Sequence, residues 1–296
     1  MSVRLQMLQV ARLSQKVLGD SSELVAAFYK QHLTPEGGFA NRSGESDLYY
    51  TGFGLAGLLA LDAELPSEPT LKHLAGYNPA KLDLIHFCCW INSRAALHQA
   101  SRTSFTAEER ESLLQALNQF RSKDGGFNIF PGLPTGSAYG AFLALSAYGD
   151  LQTELPNPLG VVQSLKLLET KDGAWANDRG IPEAGTNSTA AAVVTLTSLG
   201  FPVSDCVPEW LFARVHSQGG ICASPNTPGP DLLSTATGLH ALACLDRSID
   251  PIREKCLDFV DSLWTNEGGF YGHWADDVVD CEYTYYGLLA LGHLHA

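Results

Sequence analysis

Charge is scarce in this chain, and positive charge most of all. Only 17% of its 296 residues are Asp, Glu, Lys or Arg, and 19 basic residues stand against 32 acidic ones, a net charge of −13. Such a surface cannot neutralise a run of phosphates, which excludes nucleic acid and an anionic membrane as partners. It also opposes capture of a bare diphosphate unless a metal ion or a local basic patch intervenes. Long apolar runs are missing too, so no segment reads as a transmembrane helix. The opening stretch MSVRLQMLQVARLSQKVLG has neither the continuous apolar core nor the small-residue cleavage site of a signal peptide, and reads as the first amphipathic helix of a cytoplasmic protein. There is no CxxC pair. The seven cysteines are odd in number and scattered, with Cys88, Cys89, Cys244 and Cys256 inside apolar segments, which points to reduced, buried thiols. A Walker loop, a dinucleotide fingerprint and a serine nucleophile elbow are all absent.

What the chain does have is repetition. The phrases EGGFA, DGGFN, DGAWA, QGGIC and EGGFY place their first glycines at Gly37, Gly125, Gly173, Gly219 and Gly268. The gaps are 88, 48, 46 and 49, so one repeat without glycines lies near residues 70–100. An amphipathic segment precedes each phrase (ELVAAFYKQHL, ERESLLQALNQF), and an almost uncharged Ala/Gly/Leu-rich segment follows it (YYTGFGLAGLLAL, STAAAVVTLTSLG). PTLKHLAGY and LDLIHFCCWINSRAAL supply the same pair in the missing repeat. A helix apolar on every side must be buried on every side, whereas one with a polar stripe lies outside. The pattern predicts an all-α fold: six helical hairpins closed into an α/α toroid of two concentric rings. The hairpins fall at roughly 1–62, 63–100, 106–150, 156–200, 205–246 and 250–296 of a single domain spanning 1–296. Phe39, Phe127, Trp175, Ile221 and Phe270 are expected to plug between repeats.

These phrases resemble the repeats of protein prenyltransferase β subunits and, more distantly, those of squalene and diterpene cyclases. The order looks circularly permuted by one hairpin: GGFYGHWADDVVDCEYTYYGLLAL is similar to the β subunits' metal-bearing repeat, and the opening GGFANRSGESDLYYTGFGLAGLLAL to their final one. The resemblance implies an isoprenoid ligand, a zinc site and a helical α-like partner subunit. The zinc ligands Asp, Cys and His map onto Asp280, Glu282 and Tyr50, so only the Asp is retained. Cys281 is off by one residue, about 100° around a helix. Zinc takes thiolate, imidazole or carboxylate, leaving Asp280, Cys281 and Glu282 as candidate donors. The diphosphate-binding Arg and Lys fall on His273 and Asp276, with Asp277 adjacent. Tyr283 keeps the family tyrosine, and Arg42 is the one basic residue at the rim. Mg²⁺ would be needed to bridge a diphosphate to so acidic a rim.

A second register carries a different chemistry. Asp280-Cys281-Glu282-Tyr283-Thr284 resembles the acidic motif of class II terpenoid cyclases, which makes Glu282 the general acid beside Asp280 and Tyr283. A carboxyl group buried among aromatics keeps its proton at neutral pH. Tyr49, Tyr50, Trp90, Trp274, Tyr285 and Tyr286 would line a central cavity and offer ring faces to carbocations. Plainer readings compete. Asp47, Asp231 and Asp280 each open an inner helix, where capping alone explains an acid, and His86 beside Cys88 and Cys89 reads as core. Glycosidases and polysaccharide lyases on related toroids place paired carboxylates in an open groove, and this aromatic, uncharged interior fits an isoprenoid better. Three functions stay open: prenyl transfer, cyclisation by Glu282, and a non-catalytic toroid that binds lipid or protein.

Overall fold

The computed structural model describes residues 2–296, and five of its six inner helices start where a side chain satisfies a free backbone amide. The chain runs α1 (Val3–Leu13), α2 (Gln15–Leu18), α3 (Ser21–Gln31), β1 (Phe39–Ala40), β2 (Ser46–Asp47), α4 (Leu48–Ala60), α5 (Ser67–Ala75) and α6 (Leu84–Ser101). It continues through α7 (Ala107–Asn118), α8 (Ala138–Asp150), α9 (Pro158–Lys166), α10 (Thr186–Ser198) and α11 (Cys206–Phe212). Last come β3 (Ile221–Cys222), β4 (Pro230–Asp231), α12 (Leu232–Cys244), α13 (Arg253–Ser262) and α14 (Cys281–Leu294). Asp47, Asp83, Ser137, Asp231 and Asp280 cap α4, α6, α8, α12 and α14 by accepting from backbone N–H groups of the first turn. Among the described residues no helix is long and apolar enough to cross a membrane.

The six nearly uncharged helices form the inner ring. α4, α6, α8, α10, α12 and α14 each pack on the next, and α14 returns to α4. α3, α5, α7, α9, α11 and α13 stand outside, which gives the closed toroid of hairpins that the repeats predict. All five plug residues pair across the turn with the end of the preceding outer helix, as Phe270 does with Trp264, and are buried. A threonine on the following inner helix takes up the plug's amide. The N–H groups of Phe39, Trp175, Ile221 and Phe270 donate to Oγ1 of Thr51, Thr189, Thr235 and Thr284 at 2.9, 3.1, 2.9 and 3.2 Å. Thr284 is therefore a repeat residue of the fold, although in the acidic-motif register it looks like a member of the catalytic set.

Neighbouring hairpins are stitched at the rim. The first amides of α6, α8, α10 and α12 donate to Ile129, Asn177, Ala223 and Gly272 of the next hairpin at 3.0, 2.9, 2.8 and 2.8 Å. Each acceptor lies two residues beyond a plug. The phrase glycines pack against the next outer helix, and the last of them closes the circle: Gly268, at φ +90°, lies on the backbone of α3 at Leu24.

The amphipathic N-terminal helix belongs to neither ring. α1 lies across the end of the barrel opposite the rim, against α14, α4 and α8. Ser2 Oγ and Arg4 Nε donate to Asp150 at the end of α8, and Arg12 and Gln15 donate to the carbonyls of Leu59 and Ala60 at the end of α4. Those C-terminal carbonyls have no partner within their own helix, so α1 and the start of α2 satisfy them while α1 floors the ring.

Gly268 offers a test of closure. An alanine Cβ there would stand 2.6 Å from Leu24 O, whereas Gly180, at φ +93°, has nothing within 4 Å. Gly180→Ala is expected to cost only the left-handed backbone term, about 1 kcal/mol. Gly268→Ala should cost at least about 2 kcal/mol more, because α3 must move. Urea unfolding of both variants checks this, and equal losses would contradict closure through Gly268.

Candidate functional site

The second residue of an inner helix points into the ring at its mouth. Tyr49 on α4, Tyr139 on α8, Asn187 on α10 and Leu233 on α12 all hold that place and all border the central cavity. On α14 the same place belongs to Glu282, which does not itself line the cavity but meets the cavity-lining Tyr49. Below the mouth the cavity occupies about 490 Å³, within the range of small-molecule sites. One turn down, Phe53, Phe142, Tyr285 and Tyr286 form its aromatic lining, on α4, α8 and α14. α10 and α12 contribute small or polar groups instead: Ala190, Ala191, Val194, Thr237 and His240. Arg4 and Met7 of α1 form the floor.

Glu282 is held, not free. Tyr49 Oη donates to its Oε1 at 2.6 Å. Tyr49 is itself packed edge-on to Tyr50 and Phe53, with ring centroids 5.7 and 5.0 Å away. Burial pushes the Glu282 carboxyl up to about 7, Asp280 pushes in the same direction, and the Tyr49 hydrogen bond and Arg42 oppose them. Burial also raises Tyr49 far above the ordinary phenol value, so its proton stays on oxygen. Near neutrality this pair holds an acid that is partly protonated, beside a donor that steadies its anion.

The acidic rim is paired internally. Asp280 is 1% exposed; its Oδ1 caps Tyr283 N at 2.8 Å and its Oδ2 accepts from Arg42 Nε at 2.7 Å. Arg42 also clasps Asp276 through both terminal nitrogens at 3.1 and 2.8 Å, and its guanidinium stands 5.3 Å from the Tyr283 ring centre. Arg42 belongs to the first hairpin, Asp276 and Asp280 to the last, so this cation closes the seam of the ring. Of the four acidic residues at this part of the rim, the clasp pairs Asp276 and Asp280, while Asp277 and Glu282 have no cation partner among the described residues.

The metal expectation fits poorly. Both oxygens of Asp280 are engaged as above, Cys281 is fully buried, where burial raises its thiol, and Glu282 is bound to Tyr49. Among the described residues no group of three or more His, Cys, Asp and Glu side chains is arranged to hold a metal ion. No step below is therefore routed through zinc or magnesium.

Other site candidates separate. Tyr286 lines the cavity, and Tyr50 sits at the rim, where burial and then Asp280 raise its hydroxyl to about 12. Trp90 does not line the cavity: it lies one residue past Cys89, which does, and its Nε1 donates outward to Leu74 O at 3.0 Å. Trp274 is 46% exposed, bonded to Ser262 and packed against His216 and Phe259 on the outside. His273 turns back on its own loop to accept from Ala275 N. Phe53, Tyr139, Phe142 and the floor are not among the residues that the sequence singles out. Their signal is register, since Tyr139 stands in its helix where Tyr49 stands in α4.

Comparison with known proteins agrees with the fold. The family described as prenyltransferase alpha-alpha toroid domain matches residues 5–82, 71–208 and 203–295. No curated protein matches the chain. Candida albicans protein geranylgeranyltransferase-I, complexed with GGPP, shares 17% identity at a TM-score of 0.57; 72% of this chain covers 66% of that one. A type II terpene cyclase from Scytonema, complexed with its substrate geranylgeranyl dihydroxybenzoate, shares 16% identity at 0.58 over 96% of this chain and 97% of that one. An inactive α-1,6-mannanase from Salegentibacter sp., complexed with α-1,6-mannotriose, shares 14% at 0.64 over 94% and 98%. Likeness of fold thus spans isoprenoid and carbohydrate proteins, and only the chemistry of the lining separates them.

Removing the clasp tests its role. Arg42→Ala leaves Asp280, its side chain 2% exposed, without a cation, while Arg42 itself is 37% exposed. The expected loss is about 2 kcal/mol in urea unfolding, the buried-pair cost reduced for solvent at the guanidinium. An unchanged midpoint would contradict a seam role for Arg42.

Proposed function

This chain belongs to the prenyltransferase alpha-alpha toroid family, and from that premise we propose that it takes a polyprenyl chain into its central cavity and that protonated Glu282 starts the chemistry there. The observation that supports this reading is the Glu282–Tyr49 pair at the mouth, above an aromatic-lined chamber. Glu282 gives its proton to one carbon of a double bond. The π electrons form the new C–H bond, and the neighbouring carbon is left cationic. Tyr49 stabilises the carboxylate left behind by its hydrogen bond, and Tyr286, one turn below Glu282 on α14, offers its ring face to the cation. Attack by a second double bond closes a ring and moves the cation to a new carbon; loss of a proton from the adjacent carbon to water ends the reaction, and the hydronium so formed returns that proton to the Glu282 carboxylate.

Two observations favour this over prenyl transfer. Asp280 and Glu282, in two of the metal-ligand positions, are engaged elsewhere, and Arg42, the cation beside them, is tied to two carboxylates. The aromatic lining favours a polyene over a sugar, for which paired carboxylates would be expected in an open groove.

The pH dependence follows from the direction of the shift. Glu282 is the active species when protonated, so turnover of a polyprenyl alcohol, followed by gas chromatography of products, should be level at acid pH. Above about 7 it should fall tenfold per pH unit. Glu282→Gln should lose at least about 10³-fold. Tyr49→Phe removes the bond that favours the carboxylate, so its pH limb should move upward. Turnover unchanged in Glu282→Gln would leave a toroid that only binds its ligand.

A further inference from the structure

The floor of the cavity is built from polar groups that a hydrocarbon would leave unpaired. Asp150, at the end of α8, gathers Ser2 Oγ at 2.8 Å and Arg4 Nε at 3.0 and 2.9 Å. The Asn92 amide, turned to donate, reaches its Oδ2 at 2.9 Å. The carboxylate is therefore saturated and faces none of its bonding capacity to the lumen. Arg4 is not: Nε is used on Asp150 and Nη1 on Gln99, while Nη2 meets no protein acceptor among the described residues, and the side chain borders the cavity. Ser146 stands one helical turn above Asp150, also borders the cavity, and its hydroxyl makes no hydrogen bond to the described residues. Both groups are donors. They lie at the end opposite Glu282: Ser146 is about 10 Å down α8 from the mouth position Tyr139, and Arg4 meets Asp150 about 16 Å down it.

Resting on the isoprenoid reading of the cavity, we infer that this floor is a subsite for a neutral, oxygen-bearing head group, a hydroxyl or carbonyl, at the end of the substrate remote from the acid. A chain made only of hydrocarbon would strip water from Arg4 and Ser146 and return no acceptor. A carboxylate is disfavoured because Asp150 already balances the one positive charge. The substrate is thus an amphiphile that enters head first, its oxygen on the floor and its distal double bond beside Glu282. α1 becomes a wall of the binding site, because it supplies Arg4.

Dissociation constants for farnesol, farnesoic acid and the hydrocarbon farnesene, measured by competition against a bound fluorescent polyene, test the subsite. The protein should bind farnesol about tenfold more tightly than farnesene, one hydrogen bond's worth, and more tightly than the acid. Ser146→Ala and Arg4→Met should each bring the farnesol-to-farnesene ratio toward one by weakening the alcohol alone. Equal affinity for farnesol and farnesene overturns the subsite, as does a parallel loss of both in the variants. Tighter binding of the acid overturns the neutral head group. Should Arg4→Met fail to fold because α1 comes away from Asp150, Ser146→Ala, which removes no bond of the fold, decides the matter. Failure of the native protein to bind any of the three ends the isoprenoid reading as well. Binding of all three without preference ends only the subsite.

Discussion

An uncharged helix such as α10 is stable in water only when both flanks and its outer face are covered, and a single hairpin covers only the last of these. Each inner helix therefore needs a neighbour on either side, and a row of six has two uncovered flanks unless it closes. Closure here is a set of particular contacts. α14 packs on α4 in the inner ring, Gly268 meets Leu24 in the outer one, and Arg42 joins the two ends of the rim. The cavity follows from that geometry, since six helices in a circle leave a lumen that small residues do not fill on α10 and α12.

The same geometry sets the chemistry. With the helix N-termini at one rim, the second residues of α4, α8, α10 and α12 border the cavity at its mouth, and Glu282 holds the same place on α14 against Tyr49. Only one of those places holds a carboxyl group. Burial raises the Glu282 carboxyl to about 7, so that a share of it holds its proton near neutrality, and Tyr49 from the adjacent helix fixes its orientation. At the other end α1 seals the barrel, so an apolar guest is shielded from water on all sides except the mouth. Aromatic faces on three helices and polar donors on the floor divide that space into a zone for the chain and a zone for its head.

Much of this is legible in the residues. The glycine phrases mark the hairpins, the alternation of charged and uncharged segments separates the two rings, and the acidic stretch around Glu282 points to the mouth. Which face of an inner helix looks inward is harder to read, because a helix apolar on all sides carries no polar stripe to orient it. Trp90, on α6, reads as inward for that reason and faces outward; Trp274, on the loop before α14, faces outward as well. The positions that do line the lumen can be found by aligning the repeats on their helix starts, where Tyr49, Tyr139 and Glu282 coincide. α1 leaves no such trace. It precedes the repeats, and nothing in an amphipathic segment distinguishes a floor from an outer helix. Arg42 reads as a ligand-binding cation because sequence shows its charge but not its partners 234 and 238 residues away.

The central claim is that a substantial fraction of Glu282 carries its proton at neutral pH. Carbon-detected NMR of the protein labelled at Glu side-chain carboxyls, with Glu282→Gln used to assign the resonance, reads this directly. A titration midpoint near 7 is the result this account predicts. A midpoint near the ordinary glutamate value, about 4.3, would mean that the group is a carboxylate at neutral pH, and acid-initiated chemistry at this site would be contradicted.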